Sequence, residues 1–499
     1  MSKRRLYLIG IDSAPLQLTR QFSRKHRLKG FNEIIKNGSL TSLKSTLPPI
    51  TAAAWPSIYT GLSPAEHGVM NFFYLDKEYN KQLTFYNSNK NPPFWDVLAK
   101  EGKRCLVITP AMATEPSRTS GVDMITGFPL KPKFSSVEIE KASEKLGFIG
   151  EPEIEQALKE GQMSFEEATK RYVESIRKRS EVSKHLIERN DYDLAFICFT
   201  ETDRIQHYAL SLKNSEEHIL PLYAEISDFI NWIVARAEEK GEEFAIMLVS
   251  DHGAQPIKKK ILLNTWLIRN GYASLDSVIS SSGLKVDISQ SKKLSSAEGL
   301  REEKYHEQLR ISTKSPVTRF ICASEVETSY EDYSYKRSFD MKNTKAFASL
   351  SNNPVSSIWI NDSRFAEPGI QGHSKEKLIQ EIKIKMLELK DGEINVVSKV
   401  YSGNEYYGDT KLFIPPDLIV EASPGYTMDV FNHSEESVFA EPEAARSGDH
   451  TREGIFGFYS NSSKAEQKDL CVEDIYQMVL AYFGGTINKM AKPGGYDVI

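Results

Sequence analysis

Seven residues of this chain are of the types that hold divalent cations or attack phosphorus: Asp12, Thr51, Asp203, His207, Asp251, His252 and His450. Carboxylate and imidazole are common zinc ligands. A threonine hydroxyl becomes a nucleophile once a metal or a base favours its alkoxide. Taken as one constellation, the seven read as two metal sites sharing a threonine nucleophile, an apparatus suited to phosphate-ester hydrolysis.

Their placement along the chain supports that reading. Asp12 closes the apolar run Leu6-Tyr7-Leu8-Ile9-Gly10-Ile11, and Asp251-His252-Gly253 follows the run from Phe244 to Ser250. Thr200-Glu201-Thr202-Asp203 follows a third run, Leu194 to Phe199. All three runs are of buried-strand type. A helical turn after Asp203 would put Asp203 and His207 on one face, able to grip one ion. Gly448-Asp449-His450 comes just ahead of a fourth apolar strand, 454–459. Ligands of open α/β sheets bind beyond the carboxyl ends of the strands. Thr51 stands just before a segment that reads as a short helix, where unpaired N–H groups and partial positive charge stabilise phosphate.

Each signal alone has a plainer reading. A strand-end Asp serves as a turn or cap, and Thr51 is a natural N-cap. Asp-His-Gly reads as a turn, and Asp203 with His207 as a surface pair on a helix. The joint pattern is what favours a site.

The elements that must position these residues alternate along the chain. Residues 1–112 supply Asp12, Thr51 and a helix–strand unit, 93–100 and 105–109. Residues 113–165 read as loops with a charged amphipathic stretch. Long helices are expected at 165–189 and 220–240, leading into the Asp203 and Asp251 strands. The Ser-, Lys- and Glu-rich stretch 274–315 reads as a loop excursion or lid. Residues 355–423 show strand, helix (375–389), strand, strand, a pattern of their own between the Asp251 and His450 motifs. The expected division is therefore a core over 1–354 with loop insertions near 113–165 and 274–315, an inserted α/β cap over 355–423, and a return to the core over 424–499 carrying His450.

The chain resembles the alkaline phosphatase superfamily, in particular the type I phosphodiesterase/nucleotide pyrophosphatase branch and its soluble prokaryotic phosphohydrolase and phosphomutase members. The matching stretches are Ile9 to Asp12, Pro48 to Gly61 with Pro64-Ala65-Glu66-His67-Gly68, Thr202 to His207, Ser250 to Gly253, and Gly448 to Gly454. Softer likeness continues through 357–361 and 416–420. The resemblance implies an α/β fold, with an alkaline-phosphatase-like core, a mostly parallel central sheet flanked by helices, and the inserted cap. It assigns Asp12, Thr51, Asp251 and His252 to the metal that activates the nucleophile, and Asp203, His207 and His450 to a second metal. It matches Asn71 to an asparagine that donates to a non-bridging phosphoryl oxygen, although a turn-forming asparagine fits the same position. It gives His67 a structural role in the loop.

The implied reaction passes through a phospho-threonine intermediate on two divalent ions. Three His and three Asp without a cysteine ligand suit zinc, with manganese the alternative. Sulfatases need a Cys/Ser-x-Pro-x-Arg context that is absent, and no serine occupies the nucleophile position. No stretch approaches ~20 continuous apolar residues, which sets aside the membrane transferases.

Composition agrees with a soluble enzyme, expected in the cytoplasm, and the resemblance implies a small phosphorylated substrate, a nucleotide among the candidates. A formal charge of −5 over 499 residues gives no sign of a nucleic-acid partner, and without a long apolar stretch no membrane partner is expected. The apolar run behind the basic start breaks at Asp12, too soon for a secretory signal. Cys105 and Cys198 fall in expected strands and read as buried thiols; Cys322 and Cys471 are far removed. There is no signature of an oligomeric state. Trp55, Phe72, Phe73 and Tyr74 could stack a base or sugar or pack the cap interface. Arg204 and Arg452 could meet a phosphate or pair with Glu201 and Glu453. Two alternatives stay open: a phosphomutase or phosphomonoesterase on the same scaffold, and a non-catalytic binder of a phosphorylated ligand.

Overall fold

The computed structural model describes residues 3–484, apart from 85, 87–91, 151, 153, 276–338, 351–352, 371–373, 431–436, 443–445 and 463–468. All but the first two residues of the expected 274–315 excursion, and Cys322, lie outside the described residues.

The three apolar runs that end in candidate ligands become adjacent parallel strands. Arg4–Ile11 is the middle one, paired with Leu194–Phe199 on one side and Glu243–Val249 on the other. Residues alternate between the two faces of a strand. Tyr7, Ile9 and Ile11 join one apolar cluster, while Leu6 and Leu8 join another. Both faces are covered, which is why these strands read as unbroken apolar runs. Helices Phe165–Arg189 and Ser215–Glu239 contribute to the first cluster, Thr51–Thr60 and Phe94–Lys100 to the second.

Among the described residues the central sheet has seven strands. Cys105–Ile108 and Val122–Ile125 extend it in parallel beyond Leu194–Phe199. On the opposite side Glu453–Ser460 pairs antiparallel with Glu243–Val249, and Ser39–Lys44 antiparallel with Glu453–Ser460. The result is a mostly parallel sheet between helical layers, the architecture that the resemblance implies.

A second, four-stranded antiparallel sheet runs in the order Ala346–Ser349, Val355–Ile360, Leu418–Ala422, Val397–Ser402. Helix Ser374–Leu387 lends Leu378, Ile382 and Met386 to its apolar cluster. That cluster also takes in Leu263, Trp266 and Phe347, upstream of residue 355, and Leu47 and Met70 from the nucleophile region. The second sheet is therefore packed against the loop that leads into Thr51.

Candidate active site

Strand adjacency brings the acids together. Gly10 is in register with Val249 and Ile11 with Phe199, so Asp12, Asp251 and the start of helix Glu201–Ala209 emerge side by side. The Asp12 turn is stitched to both neighbours. The Thr202 hydroxyl donates to the Asp12 carbonyl at 2.6 Å, and the Gln206 amide to the Ser13 carbonyl at 2.6 Å. Ser13 adopts a left-handed conformation (φ 58°) and donates its N–H to Asp251 Oδ1 at 3.2 Å.

All seven candidate residues converge. His252 Nε2 lies 3.4 Å from Thr51 Oγ1, 3.6 Å from Asp12 Oδ1 and 3.2 Å from Asp251 Oδ2. Beside this group, Asp203 Oδ2 is 3.4 Å from His207 Nε2 and Asp203 Oδ1 is 3.4 Å from His450 Nε2. The rings of His252 and His450 stack with centroids 3.8 Å apart, joining the two halves. His450 lies in a short strand of its own, Gly448–Thr451, antiparallel to Gly253–Pro256, with His450 opposite Ala254. This pairing returns a residue distant in sequence to the Asp251-His252 corner.

The donor atoms are set out as a cation would require. Asp12 Oδ1, Asp203 Oδ1 and Asp251 Oδ2 are buried without a hydrogen-bond partner. On Asp12 and Asp251 the other oxygen is held, by the Trp55 indole N–H at 3.0 Å and by the Ser13 N–H. Each imidazole turns Nδ1 to a backbone carbonyl: His207 to Gly448 (3.1 Å), His252 to Gly253 (3.1 Å) and His450 to Pro49 (2.8 Å). A carbonyl only accepts, so in the neutral rings of His207 and His252 Nδ1 carries the proton and Nε2 presents its lone pair, the arrangement seen in metal-bound histidines. The Nε2 atoms of His207 and His450 face each other at 3.1 Å, within reach of one shared cation. Asp203-His207-His450 and Asp12-Asp203-His252 each bring their ligand atoms within 4.8 Å of one another. These buried Asp and His groups fit a metal.

Electrostatics carry the same message. Burial, and then repulsion from Asp251 and Asp203, raise Asp12 well above the usual carboxylate range. Burial and then Asp203 push Asp251 up to about 8. Burial acts on Asp203 in the same direction, but attraction to His207 and His450 outweighs it and holds Asp203 well below that range. Burial and then His450 lower His252 to about 4. Buried acids this crowded ionise together only with a positive partner.

Thr51 is the first residue of helix Thr51–Thr60, whose ten residues are all buried. The preceding loop is gripped from two sides. The Leu47 N–H donates to the Tyr406 hydroxyl at 2.8 Å, the Tyr407 hydroxyl donates to the Leu47 carbonyl at 2.7 Å, and His450 holds Pro49. Asn71 is buried in the turn after His67-Gly68, and its Oδ1 accepts from the Phe72 N–H at 2.7 Å. His67 accepts from the Val69 N–H (3.1 Å) and lies 3.0 Å from the Ser57 hydroxyl. Burial lowers it to about 3, so it stays neutral and braces the turn.

Other expectations change. Trp55 offers no face for stacking: it is fully buried and bound to Asp12. Arg204 pairs with Glu155 at 3.2 Å over the Phe128 ring, while Glu201 is taken by Arg179 at 2.7 Å. Arg452 donates to the Tyr401 hydroxyl at 3.1 Å, and Tyr401 donates on to Glu421 at 2.7 Å. Asn353, which no motif marks, places its amide nitrogen 3.0 Å from His450 Nδ1. Trp55 was within reach of sequence reasoning, since it stands one helical turn after Thr51; Asn353 left no such trace.

The profile of the family "type I phosphodiesterase/nucleotide pyrophosphatase" matches residues 6–450, from the first strand to His450. The chain belongs to this family. Members are phosphoryl hydrolases, so the cluster around Thr51 is the candidate active site of a phosphohydrolase. No curated protein matches the sequence. Among solved structures, phosphonoacetate hydrolase from Sinorhizobium meliloti in complex with phosphonoformate is similar in fold, with a TM-score of 0.57, 14% identity and 96% of each chain covered. Human ectonucleotide pyrophosphatase/phosphodiesterase 5 has a TM-score of 0.50 at 11% identity, over 98% of this chain and 97% of its own. The murine enzyme, in an inactive form bound to AMP, has a TM-score of 0.50 at 11% identity, over 99% of this chain and 97% of its own. Among the described residues no helix is long and apolar enough to cross a membrane.

Proposed function

We propose that this protein is a metal-dependent phosphodiesterase or nucleotide pyrophosphatase that works through a phospho-threonine intermediate. One observation carries the proposal: three partnerless carboxylate oxygens and three imidazole Nε2 atoms converge beside the hydroxyl of Thr51. Asp12, Asp251 and His252 with Thr51, and Asp203, His207 and His450, would hold two divalent ions, zinc by donor type with manganese the alternative. When bound, such ions supply Lewis acidity for the hydroxyl and for the charge on the leaving oxygen.

The residues do the rest. Thr51 Oγ1 attacks phosphorus, and the bond to the ester or anhydride oxygen breaks with its electron pair. Water then hydrolyses the phospho-threonine and restores the hydroxyl. The N-terminus of helix Thr51–Thr60 favours negative charge at the phosphoryl oxygens. The donor end of the Asn71 amide is the end its proposed role requires. Oδ1 already accepts from Phe72, which turns that oxygen away from the role. The complexes of two of the three structural relatives, with phosphonoformate and with AMP, support a small phosphorylated substrate. A cytoplasmic setting belongs to the same reading and is supported by the free, buried Cys105 and Cys198.

The test is turnover of matched p-nitrophenyl mono- and diesters, including the thymidine 5′-monophosphate ester, with zinc and separately with manganese. Faster diester cleavage that disappears in Thr51→Ala is expected. Faster monoester cleavage would move the protein to the phosphomonoesterase or phosphomutase side. Ligand binding without any turnover would make it a non-catalytic binder.

A further inference from the structure

Trp55 has no place in the chemistry above, yet it shares a helix with Thr51 and is bonded to Asp12. It follows Thr51 by one helical turn, so hydroxyl and indole leave the same face of the helix. Its N–H donates to Asp12 Oδ2 at 3.0 Å. The other oxygen, Oδ1, is the partnerless one, 3.6 Å from His252 Nε2. The indole thus decides which oxygen of Asp12 faces the cluster.

The ring itself is fixed by the strand that carries Asp12. A Cβ at Gly10 would come 2.6 Å from the indole Cη2 and 3.1 Å from Cζ3. Such a contact forces a shift, and the rigid ring is also packed against Phe196 with centroids 6.1 Å apart. Gly10 and Asp12, two positions apart, share one face of the strand end. The glycine makes room for the ring, and the ring's N–H returns to the acid.

We propose that Trp55 is a positioning residue for metal binding, orienting Asp12 as a ligand of the ion beside Thr51, with Gly10 as the space that permits it. The inference rests on the reading of Asp12 as a metal ligand. Partners that orient a ligand typically change metal affinity by about 10–100-fold when removed. The Trp55→Phe side chain keeps an aromatic ring in the core and removes the donor. Gly10→Ala keeps the donor and displaces the ring.

The experiment is zinc titration of the chelator-stripped full chain against a chromophoric competitor, with a melting curve for each variant. Two bound ions are expected in the parent protein. Trp55→Phe and Gly10→Ala should each weaken one of them by about 10–100-fold and leave the other within about twofold. Asp12→Asn should weaken the same ion. Parent-like affinity in Trp55→Phe beside a loss in Asp12→Asn overturns the role of Trp55 and leaves the metal reading intact. Equal weakening of both ions also overturns it, since that is the mark of a loosened core. Absence of zinc binding in the parent, or an unaffected Asp12→Asn, overturns the metal reading and this inference together. If Trp55→Phe does not fold, Gly10→Ala decides by the same criteria.

Discussion

The hydroxyl of Thr51 lies 3.4 Å from Nε2 of His252, a residue 201 positions away in the chain. One belongs to a helix start and the other to a strand end, and neither contact is local. The approach exists because the buried helix Thr51–Thr60 lies against the sheet face that Val249 and Leu8 also line. On the proposed mechanism, a hydroxyl held this way would need little motion to meet a phosphorus atom, and that positioning would contribute to the rate.

Thr51→Ala removes the attacking oxygen and leaves the imidazole and carboxylate donors in place. We expect kcat to fall by more than about a thousandfold, with metal content reduced little. Single-turnover kinetics together with metal analysis check this. Activity near that of the parent would remove Thr51 from the mechanism.

His207→Ala deletes one of the two imidazoles gathered around Asp203. The expected outcome is a protein that retains one metal of two and has lost most of its activity. Elemental analysis of the purified variant gives the stoichiometry directly, and an unchanged count would take His207 out of the ligand set.

The metal-free protein should be acid-stabilised. Asp251 is pushed up to about 8, and Asp12 is raised as well, by burial first and neighbouring carboxylates second. A carboxyl whose folded pKa exceeds its unfolded value contributes stability that is complete below the unfolded value and is lost as pH rises through the folded one. Asp203, held low, works in the opposite sense, and its contribution disappears only in strong acid. Between about pH 5 and pH 9 the chelated protein should therefore melt at progressively lower temperature, while added zinc should flatten or reverse the trend. A chelated protein whose Tm rises over that window would refute the crowded-acid account.

Arg179 and Glu201 form an ion pair buried on both sides, with the Ser175 hydroxyl also donating to Glu201 at 2.6 Å. Glu201 opens the helix that carries Asp203 and His207. Arg179→Ala strands a buried carboxylate and should cost about 3–5 kcal/mol of stability. Chemical denaturation measures it. A loss below about 1 kcal/mol would place the pair among contacts of surface strength.

Much of the fold was written in local pattern. The helix expected at 165–189 is Phe165–Arg189, and the apolar runs before Asp12, Asp203 and Asp251 are strands. The helix expected from 220 begins earlier, at Ser215, because Pro221 is accommodated inside it, where a sequence reading starts the helix afresh. The strand of His450 was not legible: Gly448–Thr451 is short and polar and is held by its pairing with Gly253–Pro256.

The sequence by itself determined the inventory: which side chains could bind metal or attack phosphorus, and that most of them sit near the ends of regular elements. Residue type and hydrophobic period are local properties, readable in order along the chain. Only the tertiary structure decided who stands next to whom. Parallel pairing set Arg4–Ile11 between two strands from the middle of the chain, and thereby set three acids side by side. It also gave Trp55 to Asp12, Glu155 to Arg204 and Asn353 to His450. Those pairings depend on strand order and on the packing of helix against sheet, long-range choices that no local period encodes.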